Sequence, residues 1–163
     1  MTHIDNKRPS KLYYFSEKKA LERTLSLGEF RLTPPLLELP TPANLNNAET
    51  YLTLSLTQSW DGTLFDANPS IDAYLVIHDA EEFGERVHRA AQKVLPSWAG
   101  IDAAISYGAP SPLGKLFSKA KSHAHENEWR FAWRPIQARV SANPVVIQVG
   151  SLIDIAELHA KDH

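Results

Sequence analysis

The sequence predicts an α+β fold, on three observations. Strand-like runs cluster together instead of alternating one for one with helices, too closely for a doubly wound parallel sheet. Period-two alternation of apolar and polar residues is clear at 51–57 and again at 126–134. Eleven prolines against seven glycines impose many fixed turns and keep the elements short.

Taken in order, Leu12, Tyr13, Tyr14 and Phe15 form a β-prone run. Ser16 is placed to cap a helix over 17–27, where Ala20, Leu21, Thr24 and Leu25 make an apolar stripe and Gly28 ends it. A second strand over 29–33 stops at Pro34 and Pro35, and a rigid irregular loop follows through Pro40, Pro42 and Asn44 to Asn47. Residues 51–57 read as a half-buried strand, with Leu52, Leu54 and Leu56 inward and Tyr51, Thr53, Ser55 and Thr57 outward. Residues 71–77 are apolar enough for a central strand. Asp79 and Glu82 make a D-x-x-E capping box for a helix reaching Val94, closed by Pro96. Further strands are expected over 101–107, 126–134 and 144–149. The lysine-bearing stretch 115–123 is helical or irregular, and Ser151 with Asp154 signals a short closing helix.

The 163 residues suit one domain, 1–163, with 1–10 a polar flexible end and 12–160 the folded part. Hydrophobic residues at 43% and charged residues at 22% are ordinary for a folded chain. A formal charge of −2 gives no general electrostatic capture of nucleic acid. The absence of cysteine removes disulfides, thiolate nucleophiles and cysteine metal sites. Residues 1–11 hold no apolar segment fit for a secretory signal, and no run nears the roughly 18 apolar residues of a spanning helix. A cytoplasmic location is the expectation. No G-x-S-x-G, P-loop or dinucleotide-fold glycine motif is present, so hydrolase, NTPase and Rossmann readings lack support.

The informative segment is 126–134. Alternation puts Trp129, Phe131 and Trp133 on one face and Glu126, Glu128, Arg130, Ala132 and Arg134 on the other. Three large rings belong in a core. The opposite face sets two carboxylates roughly 7 Å apart with an arginine beside them. Such a pair can grip different groups of one ligand, one carboxylate on a sugar hydroxyl and the other on a nucleophile. The same pattern also suits a sheet with one solvated face of mutually attractive charges. Ser55 and Thr57 lie on the polar face of their strand, where Ser55 can fix the rotamer of a glutamate. His123, His125 and Glu126 lack the distant partners a zinc site needs, so no metal is expected. Lys115, Lys119 and Lys121 make either a solvated face or a phosphate-recognising rim.

Lys121-Ser122 followed by Glu126-Asn127-Glu128-Trp129-Arg130 resembles the K-S…E-x-E-W/Y-R signature of a large bacterial family of unknown function, grouped with ADP-ribosyltransferase-like folds. The runs at 12–15, at Leu54-Ser55 and over 145–158 resemble that family's opening strand, its serine-bearing strand and its closing strand-turn-helix. The resemblance implies a split antiparallel or mixed sheet with flanking helices. It implies an NAD-dependent mono-ADP-ribosyltransferase, a bacterial toxin or defence effector that uses NAD as substrate and no metal. E-x-E also resembles the glutamate pair of arginine-directed ADP-ribosyltransferases. By that likeness Glu128 is the catalytic residue at the nicotinamide-ribose 2′-hydroxyl and Glu126 positions the acceptor. Tyr14, Ser55, Lys121 and Arg130 form the supporting grip on NAD. The acceptor, protein or nucleic acid, is left open, and an antitoxin or other partner protein is implied. Two places depart from the family: Tyr14 stands where a basic residue is usual, and Thr33-Pro34-Pro35-Leu36-Leu37 replaces an Asn-Asp-Pro-Phe loop. Those departures favour the alternative, a non-catalytic nucleotide- or protein-binding module of the same fold.

Overall fold

A computed structural model describes residues 7–35, 51–66, 68–136 and 143–161. The proline-rich stretch through Pro40, Pro42 and Asn44 lies outside them. The elements are β1 (Leu12–Ser16), α1 (Lys18–Leu27), β2 (Glu29–Leu32), β3 (Leu52–Thr57), β4 (Ala73–Ile77) and α2 (Ala80–Val94). They continue with β5 (Trp98–Ala104), β6 (Ser106–Tyr107), β7 (Ser118–Lys119), β8 (Glu128–Pro135), β9 (Val145–Gln148) and β10 (Ala156–Ala160). Short 3-10 helices span Gly62–Phe65, Lys115–Phe117 and Lys121–Glu126. The fold is mixed α+β, dominated by a six-stranded sheet in the order β10-β4-β1-β3-β8-β5. Every pairing in it is antiparallel. The β2–β9 ribbon is antiparallel, and only the two-residue β6–β7 pair is parallel. Among the described residues, no helix is long and apolar enough to cross a membrane.

Both helices and the β2–β9 ribbon pack on one face of the sheet. Leu21 of α1 is buried with Ala73 and Leu75 of β4. Phe83, Val87 and Ala91 of α2 share a core with Phe30, Ile147 and the Trp129, Phe131, Trp133 ladder of β8. Apolar side chains at i, i+4 and i+8 give α2 this single buried stripe. The Asp79 carboxylate accepts from the Glu82 amide at 3.0 Å and starts the helix, as the capping-box spacing predicts. Gly28 ends α1 in the left-handed region at φ 67, as expected of a C-cap glycine.

Four expectations are corrected. Ser16 does not cap α1; the Lys18 amide donates to the Asp72 carboxylate at 2.8 Å, a cap supplied from far along the chain. The closing helix is absent, and Ala156–Ala160 instead pairs with β4. Its apparent cap residue Asp154 is bound by Arg86, with Nη1 at 3.0 Å. The expected 101–107 strand is two strands, β5 beginning earlier at Trp98 and β6 following. The acidic strand begins at Glu128, because Asn127 is in the left-handed region at φ 42. Glu126 therefore ends a 3-10 helix instead of opening the strand.

Much of the polar face of β3 and β8 is covered too, although Arg134 at its far end is exposed. Thr53, Thr57 and Arg130 are buried. Phe117, Ala103, Ile105 and Ala132 form a second apolar cluster there, with Leu113 and Leu116 packed against it. The stretch 105–126, of which only 115–123 is expected to be basic and helical or irregular, supplies most of this cover.

One charged group enters the main core. Asp102 on β5 accepts from Arg8 Nε at 2.7 Å and Nη2 at 2.9 Å, and from Trp129 Nε1 at 2.9 Å. His88 Nε2 of α2 lies 2.8 Å from its other oxygen. Gly84 makes room for this, since a Cβ there would stand 2.4 Å from the Arg8 guanidinium carbon. Arg8 thus ties residues 7–10 to the fold.

Candidate functional site

The two glutamates are held in place by their backbones first. Thr57 Oγ1 donates to the Glu126 carbonyl at 2.7 Å, and the Gln58 amide N–H donates to the Asn127 carbonyl at 2.8 Å. Gln58 Nε2 reaches Asn127 Oδ1 at 3.2 Å, and Asn127 Nδ2 reaches Ser59 Oγ at 3.0 Å. A polar residue after β3 thereby stabilises the left-handed Asn127, a conformation asparagine tolerates better than most residues. The Glu128 N–H donates to Tyr107 Oη at 2.8 Å. The chain is pinned on both sides of the turn that delivers Glu128 to the sheet.

The side chains then converge on two cations. Lys119 Nζ donates to Glu126 Oε1 at 2.9 Å and to Glu128 Oε1. Arg130 Nη2 donates to Glu128 Oε2 at 3.0 Å. Arg130 itself is buried, with Nε on Ser55 Oγ at 3.2 Å and Nη1 on the Leu116 carbonyl at 2.8 Å. His123 Nδ1 lies 3.5 Å from Glu126 Oε2. Burial alone would raise the Glu126 carboxyl, but Lys119 and then His123 outweigh it and hold it below the ordinary range. For Lys119 the same contest runs the other way: burial lowers it, and the bonds to Glu128 and Glu126 raise it more. Burial raises the Tyr107 phenol, partly offset by the Glu128 N–H it accepts.

A cleft of about 200 Å³ opens beside the pair. It is lined by Tyr13, Tyr14 and Phe15 of β1, Ser55, Leu56 and Thr57 of β3, Leu64 of the loop between β3 and β4, and Glu126 and Glu128. Tyr13 is paired with Thr57 across the β1–β3 ladder, which sets it on the cleft face. From Phe15 an aromatic row continues over neighbouring strands, with Tyr74 and His159 each 5.4 Å from the next ring. Trp60, 51% exposed, leans on Tyr74.

The six residues singled out from sequence separate accordingly. Glu126, Glu128, Arg130 and Ser55 are brought together, although Ser55 bonds Arg130 and stands one link from Glu128. Tyr14 turns its ring to Phe30 at 5.4 Å, and burial raises its phenol. The tyrosine on the cleft face is Tyr13. Lys121 is exposed, its stem against Gly108, and the lysine at the glutamates is Lys119. Sequence reasoning also passed over Tyr107 and Gln58. A two-residue strand and a 3-10 turn carry no periodicity, so nothing in 105–121 distinguishes which lysine or tyrosine turns inward. Among the described residues, no group of three or more His, Asp or Glu is placed to hold a metal ion. No protein-family model, curated protein or solved structure matches this chain.

Proposed function

We propose that the chain is an NAD-consuming mono-ADP-ribosyltransferase domain, a bacterial toxin or defence effector, with Glu128 as its catalytic residue. The observation that carries this reading is that Glu128 lines one cleft with Tyr13 and Phe15, on the three adjacent strands β1, β3 and β8. An oxidised nicotinamide ring is flat and cationic, and a lining of aromatic rings and carboxylates suits that chemistry. At about 200 Å³ the cleft is smaller than sites that enclose a drug-sized ligand, so it takes the nicotinamide-ribose end of a dinucleotide.

In the reaction, the bond from ribose C1′ to the nicotinamide nitrogen breaks and the electron pair leaves with nicotinamide, now neutral. The ribose becomes cationic as the bond lengthens. Glu128, fixed by Arg130 and Lys119, is a preorganised anion at that charge and accepts from the ribose 2′-hydroxyl. An acceptor nucleophile then bonds to C1′ and gives up its proton, with Glu126 on the acceptor side. Arg130 spends its donors on Ser55, Leu116 and Glu128, so its part is to orient the glutamate; phosphate contact falls to exposed side chains such as Lys121.

Incubation of the full chain with labelled NAD and cell extract tests this. Wild type releases nicotinamide and labels an acceptor, and Glu128→Gln lowers the rate by about 10²-fold or more. Equal rates for the two proteins would sink the reading. A second reading, the non-catalytic nucleotide- or protein-binding module, is favoured by one observation: Lys119 and Arg130 already neutralise Glu126 and Glu128. Calorimetric binding of NAD or ADP-ribose with no turnover would select it.

A further inference from the structure

We infer that Lys119 is a positioning residue for the Glu126/Glu128 pair, a displaceable counter-cation that bridges the two carboxylates until a ligand hydroxyl takes its place on Glu128. What the pair then does rests on the reading above; the role of Lys119 does not.

Two carboxylates joined through one ammonium repel each other once it is removed, and one of them then takes up a proton more readily. The groups that face the pair are few. Arg130 of β8 reaches Glu128 alone, His123 of the preceding 3-10 helix lies at 3.5 Å from Glu126 alone, and Tyr107 of β6 binds the Glu128 backbone. Tyr13 of β1 faces them across the cleft. Among the described residues, Lys119 is the cation bonded to both.

Lys119 also differs from Arg130 in what holds it. The Arg130 guanidinium is fixed by Ser55 and by the Leu116 carbonyl, and it cannot leave Glu128 without breaking both bonds or turning away from them. Lys119 has a fixed backbone, paired in β7 with β6 and accepting from the Gly108 N–H at 3.0 Å, but a flexible four-carbon stem. One oxygen of Glu128 is taken by each cation. Each oxygen keeps a second lone pair, but of the two cations only Lys119 has a flexible stem with which to make way for a ligand hydroxyl while keeping its bond to Glu126.

The test uses the full chain as wild type, Lys119→Met and Lys119→Arg. Carbon-13 NMR follows the glutamate carboxyls against pH, with Glu126 assigned by its loss in Glu126→Gln. In Lys119→Met, Glu126 titrates at a pH higher by about one or more; in Lys119→Arg it stays near wild type. The acid limb of nicotinamide release moves up in Lys119→Met by a similar amount. If the methionine variant does not fold, Lys119→Gln carries the same comparison. A Glu126 titration unmoved by loss of the ammonium overturns the inference, as does an arginine variant displaced as far as the neutral one. If no protein in the set releases nicotinamide, the enzymatic reading fails, and the NMR titration still decides the part played by Lys119.

Discussion

Asp102 sits in a core otherwise built of aromatic and aliphatic side chains, and it is ionised there. Burial pushes its carboxyl upward, but His88, Arg8 and Trp129 together outweigh burial and leave it well below the usual aspartate range. A group whose folded value lies below its unfolded value of about 3.9 stabilises the fold above that pH and loses the contribution as pH falls. Asp102→Asn is expected to lower stability at neutral pH by on the order of 3 kcal/mol, because Arg8 loses its buried two-bond partner and keeps only the exposed Glu81. The difference between the two proteins should narrow below about pH 4, where the unfolded chain begins to take up a proton that the folded Asp102 still refuses. Thermal unfolding followed by circular dichroism from pH 3 to 8 reads both effects. Coincident melts at pH 7 would show that the cluster contributes nothing.

At the level of elements, the joint between the end of α1 and the Val149-Gly150 segment after β9 is the tightest. A Cβ on Gly28 would stand 2.1 Å from the Gly150 carbonyl oxygen, on a residue already at φ 67. Gly150 has a positive φ of 91 too, but a Cβ there meets nothing within 4 Å. Gly28→Ala should therefore cost about 3 kcal/mol and Gly150→Ala about 1 kcal/mol, backbone strain being common to both and collision to the first. Urea midpoints compare them; equal losses would mean the close approach relaxes freely. These contacts also show where the sequence stops being legible. The α2 cap and the Gly28 stop are local, and local signals found them. Alternation told which residues of β3 and β8 share a face, but what covers that face is set by 105–126, whose short turns have no period. The apparent cap at Ser151 and Asp154 misled because the preference of Ala156–Ala160 for β4 is a long-range pairing. At the site, the glutamates, Ser55 and Arg130 were readable from one strand pair. Lys119 and Tyr107 were not, since only the parallel β6–β7 pair brings them there.

The whole molecule divides its sheet between two duties, with helices and core on one face and the cleft on the other, and β8 belongs to both. Trp129 points into the core while Glu128 and Arg130 flank it on the cleft side, so the anchoring of the indole bears on where the carboxylate stands. That anchoring depends on the amino-terminal segment. Arg8 joins β5 through Asp102 and α2 through Glu81, whose carboxylate lies 2.9 Å from Nη1, and the Ser10 carbonyl accepts from the Ala80 amide at 3.4 Å. Three elements that meet at one carboxylate cannot open separately without stranding its charge. Removing residues 1–10 should consequently act as loss of Arg8 does. The expected result is a lower urea midpoint with little change in slope, since few residues and little surface are lost. The deletion and Arg8→Ala should fall within about 1 kcal/mol of each other, because Arg8 makes the part-buried ion pair with Asp102 while Ser10 adds one long backbone bond. A deletion that left the midpoint unmoved would make Arg8 a passive passenger. One that cost far more than Arg8→Ala would place the stabilisation in residues 1–7 or in the Ser10 bond instead.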